Sequence, residues 1–95
     1  MTTRHAALKD IAARIESMIR AHGRRHDIKI RFTRIGDGNI NRYTDFQREY
    51  HRIISGDEYF MIEEPDGLLY AVNVSGDSNM TAAAELMELV SRKAL

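Results

Sequence analysis

The spacing of apolar residues changes along this chain, and each change marks where one kind of secondary structure gives way to another. Leu8, Ile11, Ala12, Ile15, Met18 and Ile19 recur at three- and four-residue intervals, which gathers them on one face of a helix. The pattern predicts a helix from about Arg4 to His22, capped by Thr2 or Thr3 and stopped by Gly23. At Ile28 the interval falls to two. Ile28, Ile30 and Phe32 alternate with Lys29, Arg31 and Thr33, so a strand of about Asp27 to Arg34 has one apolar and one cationic face.

Past the Gly36-Asp37-Gly38-Asn39 loop, residues 43–55 fit two readings. Tyr43, Phe46, Tyr50, Ile53 and Ile54 form a helical stripe, opened by a Thr44/Gln47 capping box and closed by Gly56. The other reading makes Gly56-Asp57 a hairpin turn after a strand. The two end signals favour helix. Glu58 to Glu63 and Leu68 to Val74 read as a β-hairpin, with Pro65 at the second turn position and Gly67 in the left-handed one. Both faces of this hairpin are apolar. Tyr59 and Met61 oppose Phe60 and Ile62, so it needs a second cover, either the middle segment or another protein. A last helix runs from about Met80 to Lys93, capped by Ser78 or Asn79, with Ala83, Leu86, Met87, Val90 and Ala94 as its buried stripe. Arg92 and Lys93 in its last turn suit the helix dipole.

The expected fold is a small α+β domain spanning residues 1–95. Its order is αβαββα, with a three-stranded, mostly antiparallel sheet packed against the N- and C-terminal helices. Ninety-five residues build one modest core and no second domain. The absence of cysteine excludes a disulfide framework and a thiolate metal site. No apolar run approaches a membrane span, and Met1–Asp10 has no signal core, so the default compartment is the cytoplasm.

Charge is divided by position. Residues 1–55 carry twelve lysines and arginines against six acids; residues 56–95 carry two against eight. A formal net charge of zero therefore hides a basic half and an acidic half. The densest basic stretch holds Arg20, Arg24, Arg25, Lys29, Arg31 and Arg34. Arginine-rich patches hold phosphates through charge-assisted, often bidentate contacts. The competing reading is a solvated face paired with the acidic half of the same chain. Glu63, Glu64 and Asp66 form the complementary acidic surface at the hairpin tip. That turn is expected to be solvated, without the burial that acid–base chemistry needs.

Other chemistry is poorly supported. His22 and His26 have a metal-like spacing, but Gly23 lies between them and arginines flank His26. His5 falls in a frayed terminus, and His51 lies on the polar side of the middle segment. The glycine-containing loops lack the ligand spacing of a calcium loop or phosphate loop. The last helix opens on Asp77-Ser78-Asn79-Met80-Thr81, without the lysine cluster by which duplex-RNA readers contact phosphates. No catalytic motif, metal site or cofactor site is expected.

The leading functional expectation is a non-catalytic interaction module of adaptor or inhibitor type, a class that includes phage and mobile-element proteins. It docks a protein partner, such as a nucleic-acid-handling complex or a second copy of itself, through its charge-polarised surface. The alternative is nucleic-acid binding through the basic patch, whose affinity then falls steeply with salt. A third reading, a small-ligand or enzyme site beside the middle segment, needs a pocket of roughly 300 Å³ or more.

Overall fold

The computed structural model describes residues 3–22, 25, 27–35 and 56–95. Helix α1 spans Thr3–Ala21, strands β1, β2 and β3 span Lys29–Arg34, Glu58–Glu63 and Leu69–Asn73, and helix α2 spans Asn79–Arg92. These bounds lie within two residues of the sequence-based ones. The middle segment expected as a helix, 43–55, lies outside the described residues. The sheet has the order β1-β2-β3, with both pairings antiparallel. The fold is the expected small α+β domain, its sheet flanked by N- and C-terminal helices.

The register separates the two faces. Ile30, Ile62 and Tyr70 form one rung, and Phe32, Phe60 and Val72 the next. This face packs on Leu8, Ala12, Ile15 and Ile19 of α1 and on Ala82, Leu86, Leu89 and Val90 of α2. Phe60 is fully buried there, a burial that stabilises by roughly 1.5–3 kcal/mol. On the opposite face Thr33, Tyr59, Met61 and Ala71 are buried together with Ile35. The hairpin is thus two-faced as expected, and its second face is buried as well.

The turn joining β2 to β3 follows its residues. Gly67 donates to the Glu64 carbonyl at 3.0 Å, and Gly67 has φ +90°. The Leu68 N–H donates to Asp66 Oδ1 at 3.0 Å. Ser78 caps α2, its Oγ accepting from the Thr81 N–H at 3.1 Å.

Two sequence-based expectations are corrected. The buried stripe of α2 is Ala82, Leu86, Leu89 and Val90, while Met87 is 40% exposed and Ala94 is exposed. The helix is rotated so that Leu89 reaches the sheet, because α1 stands on its other side. At its end Ala94 takes φ +56°. Ala94 donates to Ser91 and Leu95 to Val90, a Schellman motif that tucks Leu95 into the core. Nor is His5 frayed. It stands edge-to-face against Phe32, with ring centroids 5.1 Å apart, because α1 begins over the sheet.

The helices run side by side in the same direction. Arg4, at the start of α1, donates to the Val74 and Asp77 carbonyls just before α2. Met18 and His22, at the end of α1, share a cleft with Met87, Val90 and Leu95.

Candidate interaction surface

The antiparallel register lays the basic strand alongside the acidic one. Lys29 faces Glu63 and Arg34 faces Glu58 across the β1–β2 ladder. Arg25 reaches the hairpin tip, its Nη1 2.6 Å from Glu64 Oε1, with Asp27 at 3.6 Å. Arg31 lies 3.9 Å from Glu63. Arg4, which the sequence analysis did not single out, holds Glu58 at 2.9 Å. The two halves of the chain meet here and pair, as in the self-neutralising reading of the charge split.

Glu64 is not the solvated acid expected at this turn. Its side chain is 8% exposed, and the Tyr70 hydroxyl donates to Oε2 at 3.4 Å. The chain direction after Glu63 turns this carboxylate inward, where Arg25 meets it. The hydrogen bond to Glu64 raises the Arg25 pKa above its ordinary value. Partial burial raises the Tyr70 phenol, and the Glu64 charge adds to that. Glu63 remains half-exposed beside Arg31. Asp66 is exposed and holds the turn through Leu68.

Of the basic residues, Arg24 lies outside the described residues. Arg20 turns towards β1, donating from Nη2 to the Ile28 carbonyl at 2.9 Å, with Glu16 3.8 Å away. Lys29 and Arg34 form no ion pair among the described residues. They sit at opposite ends and on opposite faces of β1, roughly 17 Å apart along the strand.

Two clefts lie elsewhere on the described surface. Met18, at 47% exposed, and Met87 line a cleft of about 460 Å³ between the helices, and His22 is the titratable side chain among its described lining residues. This volume exceeds the pocket size expected of so small a core, and its described lining is mainly apolar. A second groove, of about 400 Å³, lies between β3 and the last turn of α2. Leu68, Tyr70 and Leu89 line it, and Arg92 and Lys93 stand at its rim. Leu68 is 51% exposed. Lys93 Nζ lies 4.8 Å from the Tyr70 ring centroid, a cation–π contact. Arg92 has no acidic partner among the described residues.

The two edges of the sheet differ. On β1 the Ile30 N–H donates to Glu16 Oε1 at 2.7 Å, and the Ile28 carbonyl accepts from Arg20. Side chains of α1 therefore occupy the start of that edge. On β3 the bonds from Glu64 to Leu68 and from Val74 to Glu58 set the alternation. Tyr70 and Val72 face β2, while the N–H and C=O of Leu69, Ala71 and Asn73 point outward. No described residue pairs with these outward backbone groups.

Sequence reasoning missed the groove. Its one signal was that Arg92 and Lys93 are the only bases of the acidic half, and the helix dipole already accounted for them. Among the described residues no helix is long and apolar enough to cross a membrane, and no three His, Asp or Glu side chains are grouped to hold a metal ion. Compared with known proteins, the chain matches no family model, no curated protein and no solved structure.

Proposed function

We propose that this protein is a non-catalytic protein-interaction module whose docking surface is the β3 edge, unpaired among the described residues, and the groove beside it. The observation that carries this reading is the asymmetry of the edges. Glu16 and Arg20 hold the Ile30 N–H and the Ile28 carbonyl at the start of the β1 edge, while the outward backbone groups of β3, unpaired among the described residues, lie next to a groove with a cationic rim. Edge strands are ready templates for pairing, and native proteins usually blunt them with charges, proline or bulges. Leu69-Tyr70-Ala71-Val72-Asn73 contains neither charge nor proline.

The internal pairing of Arg25 and Arg31 weighs against the nucleic-acid reading, since phosphate binding needs several free cations along one path. It likewise weighs against Glu63 and Glu64 as docking residues, since both face arginines of the same chain.

Panning random twelve-residue peptides displayed on phage against the protein tests the proposal. Enriched peptides are expected to shift amide resonances of β3 and α2. Absence of any enriched peptide, or enrichment that leaves β3 and α2 unshifted, overturns it. So does duplex RNA or DNA binding whose log K falls with log salt at a slope of about −3 or steeper.

A further inference from the structure

We infer that the groove beside β3 receives an extended, acid-bearing segment of a partner protein, which adds to the sheet as a fourth strand antiparallel to β3. This rests on the docking reading above and names the chemistry of the partner. Strand addition takes its affinity from main-chain hydrogen bonds and its specificity from pockets for alternate side chains. Both parts are present. Leu69, Ala71 and Asn73 direct their backbone groups outward, and Leu68, Tyr70 and Leu89 line a groove large enough for an aliphatic side chain.

Charge gives the segment its direction. Lys93 lies over Tyr70, near the start of β3, and Arg92 beside it lines the same groove. A strand antiparallel to β3 finishes at that end, so carboxylates at its C-terminal end meet the two cations. Antiparallel pairing is also the slightly more stable arrangement per residue.

Sterics distinguish this occupant from a second copy. Helix α2 packs over β3 itself. Pairing β3 with its twin places the two strands about 4.8 Å apart, whereas two packed helices need about 8–10 Å. A bare extended segment meets no such clash.

Three fluorescein-labelled heptapeptides of alternating Thr and Val, ending in Glu-Glu, Gln-Gln or Lys-Lys, are titrated against the full chain by anisotropy. The acidic peptide is expected to bind at least tenfold more tightly than the lysine peptide. Ala71→Pro, which removes an outward N–H and no ladder bond, abolishes binding; R92E combined with K93E reverses the order of the peptides. Circular dichroism checks that each variant folds. Should Ala71→Pro fail to fold, N-methylation of alternate peptide residues removes the same hydrogen bonds from the other side.

Equal affinity for the three peptides overturns the inference, as does acidic-peptide binding that survives both substitutions. A mixed-sequence oligonucleotide that displaces the acidic peptide and is itself lost in R92E overturns it in favour of phosphate. If none of the heptapeptides binds while phage-selected peptides still shift β3 and α2, the acidic-segment inference fails and the docking reading stands. If both experiments fail, the docking reading fails too.

Discussion

β1 and β3 are both edge strands of one small sheet, but the chain treats their outer backbone groups differently. Ile28, just before β1, and Ile30 on β1 are held by Arg20 and Glu16 from the preceding helix. Among the described residues, α2 is the helix beside Leu69, Ala71 and Asn73 on β3, and it presents Leu89, Arg92 and Lys93 rather than a capping carboxylate. A buried or half-buried donor is costly when unpaired, and an open edge invites a foreign strand. Glu16 therefore satisfies a donor at the β1 edge, while no described residue pairs with the outward groups of β3.

Glu16→Ala breaks the contrast and has the largest expected effect. It leaves the Ile30 N–H without its acceptor, which costs about 1–2 kcal/mol and lowers Tm by roughly 5–10 °C. It also opens a second edge, so sedimentation velocity should show concentration-dependent self-association absent from the parent. Retained stability and a monomeric profile argue against the capping role.

Hydrogen exchange sharpens the contrast without disturbing the fold. The Ile30 amide, bonded to Glu16, should exchange at least tenfold more slowly than the Ala71 amide. Equal protection of the two means that β3 is closed as well.

The smallest effect concerns the acids of α2. Burial pushes the Glu85 carboxyl above the usual carboxylate range, and the Asp77 charge, a hydrogen bond with Asp77 and the Glu88 charge push the same way. A carboxyl raised in the folded state favours folding most below its unfolded pKa, and that contribution is lost as pH rises through the folded value. Glu85→Gln should therefore raise Tm slightly at pH 7 and give no gain near pH 4. The opposite ordering of the two shifts rejects the assignment.

Much of the fold was legible because it is periodic. Leu8 to Ile19 specified α1, the alternation at Ile28–Phe32 specified β1, and Pro65 and Gly67 specified the hairpin turn. The α2 stripe was misjudged because Met87 and Leu89 are both apolar, and only the position of α1 decides which is buried. The candidate surface was far less legible. Arg25 and Arg31 look like phosphate ligands until β2 brings Glu64 and Glu63 against them. The open edge depends on which strand ends up outermost, and Glu16 reveals its role only once Ile30 lies beside it.

The ion pairs along the β1–β2 seam have a consequence for how the chain assembles. Five residues separate β2 from β3, whereas twenty-three separate β1 from β2. Joining β1 to the hairpin thus closes a longer loop, at an entropic disadvantage of roughly 1.3 kcal/mol. Meanwhile Arg20 and Glu16 fasten β1 to α1 across short sequence separations. Two local units result, α1–β1 from the basic half and β2–β3–α2 from the acidic half. The charge asymmetry that resembles the mark of an external partner coincides with the division between these units. Its opposite signs meet across the β1–β2 seam, where Arg25 holds Glu64 and Arg31 stands beside Glu63, so the chain is, in electrostatic terms, its own first binding partner.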